Sequence, residues 1–162
     1  MIRSLQLNDR SELKRILTDT NHFNDEEISV AMELIDIFLN KPEQKDYIIY
    51  VYVTDDSNKT AGYICYGRRP LTEAVYDLYW IAVDPQVHGK GIGRNLVKYM
   101  EDDVLNNLKG SIILIETSGK PEYENERKFY EKCGYQIQTV IKSFYRRSDD
   151  LVVYIKYLNS VQ

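Results

Sequence analysis

Residues 83–94 read V-D-P-Q-V-H-G-K-G-I-G-R, and this stretch carries the residue types best suited to chemistry. Gly89, Gly91 and Gly93 lack Cβ atoms, so the backbone can turn sharply and bring its N–H groups close to a bulky anion. An apolar run precedes the stretch and an amphipathic pattern follows it, the order strand, turn, helix. The free N–H groups and dipole of a helix start suit a phosphate or pyrophosphate, and Lys90 and Arg94 add positive charge there. Two phosphate motifs fail on spacing. A P-loop needs a hydroxyl residue after its lysine to hold magnesium, and Gly91 follows Lys90. The fingerprint G-x-G-x-x-G fails because Arg94 stands at its last position. A lone glycine pair would suit a plain tight turn, but three alternating glycines with two cations at a helix start favour an anion site.

The elements that would position this turn follow from periodicity. Alternation over 2–7 predicts a short strand. Asp9 with Glu12, and Asn24 with Glu27, have the spacing of two capped helix starts. The second helix carries Ile28, Ala31, Met32, Ile35 and Leu39 on one stripe, and Pro42 helps end it. Strands are predicted over 47–54 and 60–66 with D-D-S-N-K as the hairpin, then over 75–83 into the glycines. The next helix repeats Ile92, Leu96, Met100, Val104 and Leu108, and Gly110 is a suitable stop. A buried strand over 111–117, a helix over 121–133 ended by Gly134, and strands over 136–145 and 151–157 around R-R-S-D-D complete the chain. Strand, helix and strand make a crossover unit, so 75–83 and 111–117 should run parallel, with their carboxyl ends on the sheet edge where ligands bind.

Size and composition narrow the classes. The 162 residues predict one domain, 1–162, that needs no disulfides for its core. A net charge of −4 with no dense Lys/Arg run argues against a nucleic-acid partner and leaves room for a cationic amine. Cys65 and Cys133 form neither a metal-like pair nor a disulfide framework, which fits free thiols in a reducing cytoplasm. No signal-peptide pattern or membrane-spanning run is visible, so a soluble cytoplasmic protein is expected. Arg68 with Arg69, and Arg146 with Arg147, read as solvated turns rather than an anion site. With fourteen tyrosines in the chain, being a tyrosine is weak evidence for a role.

The loop His88, Gly89, Lys90, Gly91, Ile92, Gly93 and Arg94 resembles the pyrophosphate loop of the GCN5-related N-acetyltransferases (GNAT), with His88 in place of the more usual Gln or Arg. About forty residues on, Phe129, Tyr130, Glu131, Gly134 and Tyr135 match that family's F-Y-E-x-x-G-[FY] segment. The order of elements agrees from first strand to last, and the later segment also looks similar to ribosomal-protein alanine N-acetyltransferases. The resemblance implies an α/β GNAT fold: a mixed, twisted sheet of about six to seven strands with helices on both faces, and acetyl-coenzyme A in a cleft between strands 75–83 and 111–117. It implies direct acetyl transfer to a primary amine of a small molecule or peptide, with no metal and no membrane. Backbone groups of Ile81, Ala82 and Val83 would pair with the pantetheine arm. A carboxylate would deprotonate the amine. Glu116 is the first choice, though it is equally a solvated strand-end carboxylate; Asp77, Glu73 and then His22 follow. Tyr130 would protonate the departing thiolate, with Phe129 anchoring the helix and Tyr130 pointing elsewhere. Tyr123 stands where the family has an Asn. Tyr145 and Asp150 fall where relatives contact the acceptor. C-terminal strands often meet across a dimer in that family, so a homodimer is allowed. Two alternatives remain open: a non-catalytic coenzyme-A or acyl-CoA-binding module, and an acyltransferase using a different acyl-CoA.

Overall fold

A computed structural model describes residues 1–55 and 58–158; Asp56 and Ser57, within the expected D-D-S-N-K hairpin, lie outside the described residues. Among the described residues there are seven strands: β1 (Ile2–Ser4), β2 (Ile48–Val53), β3 (Thr60–Arg68), β4 (Val75–Val83), β5 (Ile112–Ser118), β6 (Gln136–Arg146) and β7 (Asp149–Tyr157). They form one mixed sheet in the order β1-β2-β3-β4-β5-β7-β6. The helices are α1 (Arg10–Asp19), α2 (Asp25–Asn40), α3 (Ile92–Asn106) and α4 (Glu124–Lys132). The crossover prediction holds, since β4 and β5 pair in parallel from Val75↔Ile112 to Leu78↔Ile115.

Two compact units share β4 and α3. The first comprises Met1–Gly67 with Tyr79–Met100, the second Arg68–Leu78 with the chain from Glu101 onward. In the first unit alternate residues of β2 sort to opposite faces, as strand geometry requires. Ile49, Val51 and Val53 are buried in a core with Leu13, Ile16 and Leu17 of α1 and Ala31, Met32 and Ile35 of α2. The intervening Tyr50 instead meets Tyr99 of α3, ring centroids 4.7 Å apart, so helices cover both faces. Ile92, Leu96, Met100 and Val104 of the predicted stripe are buried, but α3 ends at Asn106, so Leu108 lies beyond the helix and is only half-buried.

Local hydrogen bonding decides the helix ends. Asn24 Oδ1 accepts from Glu27 N–H at 2.9 Å while Glu27 Oε2 accepts from Asn24 N–H at 2.8 Å, the reciprocal cap predicted. Asp9 stands at the N-cap position of α1 as expected, but its side chain makes no cap bond to α1; a 3-10 turn over Leu7–Asp9 precedes the helix, and there Asp9 completes a capping box with Gln6. Its buried carboxylate accepts from Arg3 at 2.7 and 2.9 Å, from Gln6 N–H at 2.8 Å and from Thr60 Oγ1. Charge-assisted bonds to a guanidinium outcompete a single cap. Gly110 also differs from a simple helix stop. Lys109 adopts the left-handed φ of 59°, and Gly110 is required for space, since a Cβ there would lie 2.5 Å from Val104 and 2.7 Å from Tyr76.

Candidate active site

In the first unit, β4 ends at Val83 and a 3-10 turn over Pro85–Val87 leads to the glycines. Asp84 builds this turn. Its buried carboxylate accepts from Gln86 N–H at 3.0 Å and pairs with Arg15 of α1. Burial pushes the Asp84 carboxyl up, but the bonds from Arg15 and Gln86 outweigh it and hold the group below its ordinary value. Gly89 and Gly91 then adopt φ of 82° and 75°, conformations that L side chains rarely take, and a Cβ at either would meet nothing within 4 Å. Gly93 lies inside the first turn of α3 rather than in the loop. Asn95 N–H bonds Gly91 O at 3.0 Å, so the Ile92 and Gly93 amides ahead of it belong to the group that helix geometry leaves outside its own ladder. Open space over amides at a helix start is the environment an anion needs.

The strand groups expected to face a pantetheine arm are placed less simply. Ala82 is buried, Ile81 and Val83 half-buried. The Val83 carbonyl lies 2.9 Å from His88 Nε2. His88 therefore folds back onto the strand end, in contact with one of the three residues expected to pair with the arm.

In the second unit, Tyr130 and Glu116 stand on opposite faces of the sheet. Tyr154 pairs across the antiparallel ladder with Ile115, and Glu116 with Val153, so alternation puts Tyr154 and Glu116 on different faces. The Tyr130 ring packs against Tyr154, centroids 6.0 Å apart, and Tyr154 Oη donates to Glu131 of α4 at 3.0 Å. Glu116 lies on the other face with Asp77, whose parallel partner is Leu114.

Tyr130 corrects the expectation for this helix. It is the anchor, 3% exposed among Phe129, Tyr135 and Tyr154, while Phe129 is only half-buried. The exposed half of this short helix is charged, leaving the ring that continues the Tyr154 face to fill the core. Tyr130 Oη donates to Glu126 Oε1 at 2.9 Å. Burial first, then the Glu126 carboxylate, pushes the hydroxyl well above its ordinary value, so it stays protonated.

Arg69 is the second correction. Instead of sitting in a solvated turn, it bridges the two carboxylates, Nη1 donating to Asp77 Oδ1 at 2.8 Å and to Glu116 Oε1 at 3.4 Å. Burial raises the Asp77 carboxyl, Arg69 pulls it down and Glu116 pushes it up, and the balance lies above the ordinary value. Glu116 itself is exposed. Asp150 sits apart from this cluster, receiving Lys142 Nζ at 2.7 Å and Ser143 N–H at 2.9 Å, and Tyr145 stacks edge-on against Phe144. His22 and Glu73 are in none of these groupings. Asp84 and Arg69 are the residues that sequence reasoning missed; a carboxylate directly before a proline turn is a signal for the first, and nothing in the sequence marks the second.

The family model described as an acetyltransferase (GNAT) domain matches residues 45–137. The chain belongs to the GNAT family. It is 34% identical over 71 residues to the S-(2-succino)cysteine N-acetyltransferase of Bacillus subtilis and 30% identical over 88 residues to the N-alpha-acetyltransferase RimI of Mycobacterium tuberculosis. These alignments cover 43% and 54% of this chain, and the chain spans only 42% and 51% of the two relatives. A solved GNAT-family structure from Desulfovibrio desulfuricans superposes with a TM-score of 0.92 at 37% identity, covering 98% of this chain and 99% of that one. An aminoglycoside 6'-N-acetyltransferase complexed with coenzyme A shares the fold, TM-score 0.74 at 19% identity, covering 100% of this chain and 99% of that one. Among the described residues of this GNAT chain, no helix is long and apolar enough to cross a membrane.

Proposed function

We propose that the chain is an acetyl-coenzyme-A-dependent N-acetyltransferase, one cytoplasmic domain over 1–162, that moves an acetyl group to a primary amine by direct transfer. The observation that carries this reading is the pair of left-handed glycines ahead of α3, whose missing Cβ atoms leave the helix-start amides open. Family membership supports the activity, and both curated relatives are named N-acetyltransferases.

Gly89, Lys90, Gly91, Ile92 and Gly93 would hold the pyrophosphate through main-chain N–H groups, with Lys90 and Arg94 adding charge. Ile81, Ala82 and Val83 would hold the pantetheine arm through the backbone. Bound acetyl-coenzyme A supplies an acetyl group on a thioester carbon. The acceptor must lose a proton before its lone pair can attack, and a carboxylate of the Asp77 and Glu116 pair takes it. As the C–N bond forms and the C–S bond breaks, the sulfur gains a proton; the family resemblance assigns that proton to Tyr130, whose hydroxyl stays protonated, a role that requires the sulfur to be reached from the sheet face opposite the Asp77 and Glu116 pair. The amide nitrogen sheds its second proton, so turnover releases one proton net from an ammonium substrate.

Coenzyme A titration, with acetyl transfer to a mixed panel of amino acids, peptides, polyamines and aminoglycosides read by product mass, tests this. Binding with one acceptor class acetylated is the expected result; no coenzyme A binding overturns it. A coenzyme-A-binding module without turnover is the second reading. It is favoured by one observation, that the Tyr130 hydroxyl donates to Glu126 on its own helix.

A further inference from the structure

The two carboxylates on Arg69 are held unequally. Asp77, with a side chain 13% exposed, is bonded at 2.8 Å, the length of a charge-assisted hydrogen bond. Glu116, 43% exposed, reaches Nη1 at 3.4 Å and Nη2 at 3.5 Å, a loose contact that water can replace. The backbone that carries the arginine is fixed. Its main-chain N–H donates to Val75 O at 2.9 Å, and its main-chain carbonyl accepts from Thr72 Oγ1 at 2.8 Å and from Thr72 N–H at 3.3 Å. Asp77 thus grips the guanidinium from the buried side, while the side facing Glu116 is open to solvent and weakly occupied. A planar guanidinium held by Asp77 on one side is suited to a carboxylate on the other.

We propose that Arg69 recognises a carboxylate on the acceptor, displacing Glu116, and that the acceptor class is a free amino acid whose amine and carboxylate share one carbon. The charges alternate as this ligand requires. Its carboxylate takes the Glu116 place on Arg69, and its ammonium then faces the released Glu116 and the neighbouring Asp77. Neutral overall, such a zwitterion adds no net charge to a cluster of two carboxylates and one guanidinium. A polyamine or aminoglycoside satisfies the carboxylates but places its positive charges against Arg69 and leaves the guanidinium without the ligand it is shaped for. A peptide N-terminus presents a carbonyl where the carboxylate should be. This inference rests on the acetyltransferase reading for the fate of the amine, but recognition itself can be measured without turnover.

The test is equilibrium binding, by calorimetry on the full chain, of free L-amino acids and their carboxamides, followed by acetyl transfer to the same panel. At least one amino acid should bind ten-fold or more tighter than its carboxamide. Arg69→Gln should abolish that difference by weakening the acid alone. A variant that is merely damaged would weaken acid and amide together. If carboxamides or polyamines bind and react as well as any amino acid, or if Arg69→Gln weakens both forms equally, the inference is overturned. If an amino acid binds in the Arg69-dependent way and nothing is acetylated, recognition stands and the acetyltransferase reading falls.

Discussion

At the turn ahead of α3 the groups on offer are main-chain amides, positioned by Gly89 and Gly91, whose missing side chains face open space. Around α4 the groups on offer are side chains, and Tyr130 owes its place to three neighbouring rings. A main-chain site tolerates changes of most side chains and fails at the glycines. A side-chain site can fail by loss of one atom, because its geometry is shared among neighbours that have no other reason to hold it.

Loss of a single oxygen is therefore the sharpest way to break the contrast. Tyr130→Phe keeps the ring and its packing and removes only the hydroxyl bonded to Glu126. Stability should fall by about 1 kcal/mol. If Tyr130 supplies the proton to sulfur, kcat falls about 100-fold or more with coenzyme A affinity unchanged. Unchanged kcat, read from product formation at saturating substrates, would make Tyr130 a packing residue.

The converse change is Gly91→Val. A φ of 75° strains a β-branched residue by about 1 to 2 kcal/mol, yet no heavy atom stands in its way. The free protein should remain folded by thermal melt. Coenzyme A affinity should fall about ten-fold or more, since the side chain fills the space over the amides, a loss of about 1.4 kcal/mol. A valine variant that binds coenzyme A normally would mean that the open space at Gly91 serves the turn alone.

The turn depends on a side chain in one respect, and pH exposes it. Asp84 has its carboxyl held below the ordinary value by Arg15 and Gln86 despite burial. The native state thus favours the ionised form. Its stabilisation is fully present above the ordinary carboxylate value of about 4 and is lost as pH falls through the lowered value. Asp84→Asn should cost about 1 to 3 kcal/mol at neutral pH and flatten the acid limb of a melting-temperature profile. An unchanged acid limb in the variant would show that Asp84 contributes no such linkage.

Features governed by a few consecutive residues were legible in the sequence. Strand 75–83 is predicted to the residue, the Asn24 and Glu27 cap forms as read, and the four-residue spacing from Ile92 to Val104 gives the buried stripe of α3. What escaped depends on partners far along the chain. Asp9 leaves its expected cap for Arg3 and for Thr60, 51 residues away, Arg69 meets Glu116 across 47 residues, and Arg15 reaches Asp84 across 69. Tyr130 and Phe129 are adjacent in a recognised motif, yet which of them turns inward is set by Tyr154 on β7. A motif fixes residue types, whereas the direction of a side chain follows from what the rest of the fold leaves room for.

His88 marks the point where the two kinds of site meet, because a side chain there occupies a main-chain group. Its Nε2 lies 2.9 Å from the Val83 carbonyl on an exposed surface, and such a bond contributes about 0.5 to 1.5 kcal/mol. If the pantetheine arm uses that carbonyl, binding must first break the His88 contact, and the free protein carries a small bias against the bound state. His88→Ala removes the bias, so coenzyme A affinity should rise by about two- to ten-fold, measured by titration against the unchanged protein. A fall in affinity instead would show that the imidazole itself contacts the cofactor, and the turn would then share the side-chain dependence seen around α4.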